Sequence, residues 1–215
     1  MTSLVVFDMA GTTVLDDGLV ERAFRRALPG ATPGMVDYVR ATMGQSKIVV
    51  FRALLHDEAA AQRANAAFEE AYAALVAEGR CAPVPGAADV IADLRSKGVK
   101  VAFSTGFSRA TQHVILSALG WTDLADFTTT PAEAGRGRPY PDMVLAAVLG
   151  LGLPDVREVA VVGDTPSDVL TGLRAGAGVV AGVLTGAGTR AELAAAGATH
   201  VLDSVLDLPA VLEGL

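Results

Sequence analysis

Apolar positions along this chain follow two different rhythms. Leu4, Val5, Val6 and Phe7 run without a polar interruption and end at Asp8, before the turn Gly11-Thr12-Thr13. A continuous apolar run predicts a parallel strand covered on both faces. From about residue 18 to 80 the spacing is helical. Leu19, Ala23, Phe24 and Ala27 predict one amphipathic helix closed by Pro29-Gly30. Met35, Val36, Val39 and Met43 predict a second, and Ile48, Phe51, Leu54 and Leu55 a third. The alanine-rich stretch from Ala59 to Glu78, with Phe68, Tyr72 and Leu75 on one side, predicts a long fourth. No strand pattern occurs across it.

Pro83 and Pro85-Gly86 mark a change of rhythm. Strands are expected at 99–103, near Phe127, and at 159–162, 179–183 and 199–202. Helices are expected at about 87–97, 109–119, 141–151, 167–175, 189–196 and 206–213. Repeated βα units of this length predict an α/β fold with a parallel sheet and helices on both faces. Four consecutive helices within that alternation read as an inserted helical subdomain. Asp8 and Asp164 then both open onto the carboxyl edge of the sheet, where ligands bind in such folds.

Composition narrows the function. The 215 residues carry a formal net charge of -7 and are 51% hydrophobic, which supplies ample core material. No lysine- and arginine-rich stripe is present to track a phosphate backbone, so nucleic acid is not an expected partner. A single cysteine, Cys81, excludes an intrachain disulfide. No apolar run reaches the length of a membrane span, and Asp8 interrupts the apolar start before a signal peptide could form. A cytoplasmic protein is expected.

Four segments carry candidate chemistry. Asp8 could bind a metal, attack an electrophile or simply cap a turn. Ser104-Thr105-Gly106, after the second strand, offers hydroxyls and backbone N–H groups to a phosphoryl group, or a cap to the next helix. Arg136-Gly137-Arg138-Pro139 is a basic loop in an acidic chain; its guanidinium groups could hold phosphate oxygens or face solvent. Gly163-Asp164-Thr165-Pro166-Ser167-Asp168 sets two carboxylates four residues apart across a strand end and a helix start. They repel each other unless a hard cation such as Mg2+ joins them, and the bland alternative is a capped turn.

In this order, each after an apolar strand, these segments resemble the motifs of the haloacid dehalogenase-like hydrolase superfamily. Phe7-Asp8-Met9-Ala10-Gly11-Thr12-Thr13 resembles its first motif, Thr105 its second, Arg138 its third and the Gly163–Asp168 segment its fourth. The resemblance spans essentially the whole chain. It implies a Rossmann-like core at 1–15 and 83–215 with a helical cap at 16–82. It also implies Asp8 as nucleophile, Mg2+ held by Asp8, the Ala10 carbonyl and Asp164 with Asp168 beside them, and Thr12, Thr105, Gly106 and Arg138 around the phosphoryl group.

Most phosphatases of the superfamily have a second Asp two residues after the nucleophile, where this chain has Ala10. Asp8-Met9-Ala10-Gly11-Thr12-Thr13 instead resembles the phosphonatase branch. Met43-Gly44-Gln45-Ser46-Lys47-Ile48 resembles that branch's cap motif, which implies Lys47 as a Schiff-base residue and Met43 at the substrate. Val50 stands where the hydrolase usually has His, and Phe107 where it usually has Tyr, so the chain is closer to a phosphonatase-like sister group. The expected reaction is P–C cleavage of a small carbonyl phosphonate such as phosphonoacetaldehyde. The alternative is hydrolysis of a small phosphomonoester. A binding protein on the same scaffold would leave Asp8, Asp164 and Asp168 without a purpose.

His56, His113 and His200 are scattered and predict no zinc site. Ser104 and Ser167 lack a Ser-His-Asp arrangement. Cys81 reads as a boundary residue, and Trp121 as a packing anchor. Apolar cap helices would suit a homodimer.

Overall fold

The computed structural model describes residues 2–214. Six parallel strands form one sheet: β1 (Leu4–Asp8), β2 (Lys100–Ser104), β3 (Phe127–Thr129), β4 (Val159–Gly163), β5 (Val179–Val183) and β6 (His200–Leu202), in the spatial order β3-β2-β1-β4-β5-β6. β1, β4 and β5 are buried along their full length, as their valine-rich, almost wholly apolar sequences require of strands covered on both faces.

The chain builds outward from β1 to β3, then returns to β4 on the other side of β1. This reversal opens a crevice at the carboxyl ends of β1, β2 and β4. Phe7 pairs with Val162 and Asp8 with Ser104, so Asp8, Ser104 and Asp164 all reach that crevice.

Between β1 and the core helix α5 (Ala87–Ser96) lie four helices: α1 (Leu19–Ala27), α2 (Pro33–Ala41), α3 (Lys47–Leu55) and α4 (Glu58–Ala77). They form the inserted helical subdomain. Its center is an aromatic stack in which Phe24 meets Phe51 at 5.7 Å, Phe51 meets Phe68 at 6.1 Å and Phe68 meets Tyr72 at 5.9 Å. Burying each such ring is worth about 1.5–3 kcal/mol. The stack continues into the core through Phe107, whose ring lies 4.8 Å from that of Tyr72. The two chain segments that enter and leave the subdomain run side by side, joined by Leu15 N–H donating to Ala82 O and Val84 N–H donating to Thr13 O, both at 2.9 Å.

The remaining helices are α6 (Arg109–Ala118), α7 (Pro131–Ala134), α8 (Asp142–Gly150), α9 (Pro166–Ala175), α10 (Arg190–Ala195) and α11 (Leu208–Glu213). Trp121 stacks on Phe103 at 6.1 Å and closes the end of α6. Two expectations shift. The second strand starts at Lys100 and runs through Ser104, one residue later than the apolar run indicates. The final helix is split, with a 3-10 turn at Val205–Asp207 before α11. Helix α7 was not foreseen; Pro131 opens it and Thr130 and Glu133 close a reciprocal capping box. Among the described residues, no helix is long and apolar enough to cross a membrane.

Candidate active site

Asp8 ends β1 and is buried. Asp164 follows β4, and Asp168 lies in the first turn of α9. The fold brings these three carboxylates together: one oxygen from each lies within 4.8 Å of the others. Asp164 is held from two sides. Thr12 Oγ1 donates to its Oδ1 at 3.1 Å, and Ala187 N–H donates to its Oδ2 at 2.8 Å. Asp168 Oδ2 accepts from the Thr165 N–H at 3.0 Å and from the Thr165 hydroxyl, a capping box on α9.

Arg138 reaches into the same cluster and is itself buried. Its Nη1 lies 2.6 Å from Asp8 Oδ1 and its Nε 2.7 Å from Asp168 Oδ1. Nη1 also donates to Gly44 O at 3.2 Å, while Nη2 donates to Ser104 O at 3.0 Å and Ser104 Oγ at 2.7 Å. A guanidinium has five N–H bonds, and these five contacts match them. Arg138 therefore ties two carboxylates, the end of β2 and the cap turn at Gly44 into one unit.

Three buried carboxylates against one guanidinium leave negative charge uncompensated. Burial, with Asp168 nearby, pushes Asp8 up to about 6 despite the opposing pull of Arg138. Burial and the charges of Asp8 and Asp168 push Asp164 well above the usual carboxylate range. Oxygen donors in this arrangement fit a hard divalent cation, whose charge would remove that penalty. Ala10 lines the chamber beside them.

The chamber at Asp8 is small, about 20 Å³. Ala10, Val20, Met43, Lys47, Thr105, Gly106, Phe107 and Arg138 are among its lining residues. Met43 and Lys47 arrive from the helical subdomain, and Thr105 and Gly106 from the turn after β2. Thr105 Oγ1 accepts from Phe107 N–H at 3.2 Å. Thr12 is fully buried, and its hydroxyl serves Asp164.

Lys47 opens α3 and is half-buried rather than solvent-facing. Its Nζ donates to Gln45 O at 3.4 Å and lies 5.5 Å from the center of the Phe107 ring. Desolvation lowers its ammonium to about 8, against the opposing pull of Asp16 and Asp8. A position at a helix N-terminus also disfavors a cation. Val50 lies one turn further along α3 and is buried.

Gly106 makes the cap contact possible. A Cβ there would sit 2.5 Å from Gln45 O and 2.6 Å from Gly44 O. Beyond the chamber, Lys47, Gly106, Phe107 and Arg138 also border a cavity of about 700 Å³ between α3, α4 and the loop after α7.

Ser104, expected to offer its hydroxyl to a phosphoryl group or a helix cap, receives Arg138 instead. Two contributors escaped the sequence reading. Gly186 packs so closely on Asp164 that a Cβ would collide with the carboxylate. Ala187 supplies a backbone donor to the same group. The run Thr185-Gly186-Ala187-Gly188 after β5 was the available signal, because dense glycine at a strand's carboxyl end marks close backbone approach. Cys81 is half-buried, and burial pushes its thiol up to about 11, which removes it as a nucleophile.

Comparison with known proteins agrees with this geometry. The phosphonoacetaldehyde hydrolase of Bacillus cereus is 32% identical over 203 residues, covering 85% of this chain and 75% of that enzyme. The phosphonoacetaldehyde hydrolase of Parabacteroides distasonis is 31% identical over 157 residues, covering 61% of this chain and 58% of the relative's length. A hydrolase from Pseudomonas syringae superposes over 100% of this chain and 99% of its own, with a TM-score of 0.89 at 26% identity. The family model for haloacid dehalogenase-like hydrolases matches residues 2–176 and thus takes in Asp8, Arg138, Asp164 and Asp168. With its aspartate cluster at the carboxyl edge of a parallel sheet and a helical subdomain over it, the chain belongs to the haloacid dehalogenase-like hydrolases and is an enzyme with an aspartate-based active site.

Proposed function

We propose that this enzyme transfers the phosphoryl group of a small substrate to Asp8 and then to water, and that its substrate is a carbonyl phosphonate such as phosphonoacetaldehyde. The observation that carries the finer reading is Lys47. A half-buried amine with a lowered pKa shares the chamber with Asp8, while Ala10, two residues beyond Asp8, cannot donate a proton. The phosphonoacetaldehyde hydrolases among the relatives support the same choice.

The residues divide the reaction between them. Lys47 as a free amine condenses with the substrate aldehyde and expels water, leaving an iminium. An Asp8 oxygen attacks phosphorus as the C–P bond breaks, and the bond's electrons pass into the iminium to give an enamine. Water then attacks the aspartyl phosphate, and protonation and hydrolysis of the enamine release acetaldehyde and free Lys47. Arg138 holds Asp8 in place for the attack, and Thr105 and the backbone at Gly106 face the phosphoryl oxygens. Bound by Asp8, the Ala10 carbonyl and Asp164, with Asp168 beside them, Mg2+ would neutralise phosphoryl charge. The helical subdomain, taken as residues 16–82, serves as the cap that brings Lys47 to the chamber and limits water there.

The second reading is a phosphatase acting on a small phosphomonoester. The aspartate cluster favors it directly, because phosphoryl transfer to Asp8 asks nothing of Lys47. Lys47→Ala separates the two. The phosphonate reading expects loss of P–C cleavage and of any borohydride-trapped adduct. Phosphonate cleavage that persists in K47A contradicts the imine, and phosphomonoester turnover equal to wild type in that variant moves the assignment to the second reading.

A further inference from the structure

The chamber at Asp8, at about 20 Å³, has room for about one water-sized group. A substrate reacting there keeps most of its body outside. Lys47, Gly106, Phe107 and Arg138 line both the chamber and the cavity of about 700 Å³, so the two spaces meet beside Lys47. That volume lies within the roughly 300–1,000 Å³ of small-molecule sites. A two-carbon aldehyde would leave most of it empty.

The cavity lining mixes apolar and cationic groups. Ile48, Val49 and Pro131 are apolar, and Val49 is exposed although hydrophobic. They suit a short methylene chain. The charged lining residues are Lys47, Arg52, Arg136 and Arg138 against Glu69, an excess of cations in a chain of net charge -7. Lys47 and Arg138 also line the chamber. Arg52 and Arg136 do not, and both are exposed, so they stand where the cavity meets solvent.

These two arginines come from different parts of the fold and are held alike. Arg52, on α3, places Nε and Nη2 on Glu58 at 2.7 Å each. Arg136, in the loop after α7, places Nε and Nη2 on Asp142 at 2.9 and 2.8 Å, and its guanidinium lies 4.4 Å from the center of the Tyr140 ring. In each, Nη1 has no partner among the described residues. Glu58 and Asp142 do not line the cavity. Each carboxylate therefore steadies a fork whose remaining edge is free for an acceptor. Glu69 already accepts from Asn65 Nδ2 at 2.8 Å. A phosphoryl group at Asp8 lies in the chamber, where neither arginine is a lining residue, so their free donors suit a different anion.

We infer that Arg52 and Arg136 bind a carboxylate at the far end of the substrate, whose phosphoryl group lies at Asp8 and whose carbon chain runs along Ile48 and Val49. This subsite rests on the reading that Asp8 takes the phosphoryl group of a small substrate, and it does not depend on the imine. Within the phosphonate reading, the substrate is a carbonyl phosphonate whose chain ends in a carboxylate. Hydrolysis adds water across its C–P bond and gives phosphate and an oxo acid.

The test is calorimetric titration of the Mg2+-loaded full chain with ω-phosphonoalkanoates of increasing chain length, each against the alkylphosphonate of equal length. These ligands have neither carbonyl nor ester, so they bind without reacting. At one chain length the carboxylate is expected to tighten binding about fivefold or more at low salt, and less at high salt. Arg52→Met and Arg136→Met should each reduce that preference while the matching alkylphosphonate binds as in wild type. Equal binding of the two series at every length overturns the subsite. So does an equal loss of both series in the variants, which means that the arginines only attract the phosphonate charge. Neither series binding overturns the path to Asp8 and the subsite with it. A carboxylate preference in a protein that releases phosphate from no substrate leaves the subsite standing and overturns the reading of Asp8. Should R136M lack a cooperative melt, R52M decides alone: a preference at least halved supports the subsite, and an unchanged one overturns it.

Discussion

Arg138 grips Asp8 at 2.6 Å, and both are shielded from solvent. The same guanidinium also holds Asp168 and the turn at Gly44, so one side chain fixes Asp8, the proposed nucleophile, and latches the subdomain. Removing it strands two buried carboxylates. Arg138→Ala is expected to cost about 3–5 kcal/mol of stability, the usual penalty for breaking a buried ion pair, and about 10²–10³-fold in turnover. Arg138→Lys, with one point charge, is expected to restore only part of either. Denaturant melts and steady-state rates check both.

Asp8 is raised by burial and the charge of Asp168, and Asp164 by burial and the charges of Asp8 and Asp168. A raised carboxylate binds protons more tightly folded than unfolded. Its stabilising contribution is present below the unfolded value of 3.8 and is lost as pH rises through about 6 for Asp8. The metal-free protein should therefore lose stability between those limits. Added Mg2+ should raise the melting temperature more at pH 7.5 than at pH 5, where the ligands retain protons. Equal shifts at both values would argue that the cation binds elsewhere.

The proposed imine requires Lys47 as the free amine. With its pKa lowered to about 8, about a tenth of the molecules carry a neutral amine at pH 7, far more than for an ordinary lysine near 10.4. Imine formation should climb about tenfold per unit below pH 8 and level off above it. Borohydride trapping across pH 6–10 reads this limb. A limb still rising steeply above pH 9 would mean that the amine behaves as if exposed.

Gly106→Ala tests the junction between core and cap. Its Cβ would press on the Gln45 and Gly44 carbonyls, forcing the turn that carries Lys47 away from Asp8. Turnover is expected to fall at least about tenfold, since small misplacements of reacting groups are costly. Circular dichroism should remain that of the wild type. Unchanged turnover would show that the turn relaxes without moving Lys47.

The strands and the aspartates were legible because each leaves a local mark. A continuous apolar run such as Val159–Val162 means a covered strand, and an Asp directly after it means the sheet's carboxyl edge. The helices of the subdomain were legible from their periodicity. Arg138 was legible as a cation in the right loop, but its hold on Asp8 was not, because nothing local says which acceptors a guanidinium will meet across 130 residues of chain. Gly186 and Ala187 were missed for a related reason: backbone that supports Asp164 carries no side-chain signature. The half-burial of Lys47 depends on Phe107 from the core and Val20 from α1, a juxtaposition visible only once the subdomain is folded down.

The central claim is that Asp8 and Lys47 together cleave a carbon–phosphorus bond. Steady-state assay of the Mg2+-loaded enzyme with phosphonoacetaldehyde, following phosphate and acetaldehyde at once, tests it most directly. The account predicts equal release of both products at a catalytic rate. No release from folded, metal-loaded enzyme that still hydrolyses a small phosphomonoester would contradict it and assign the site to phosphate esters.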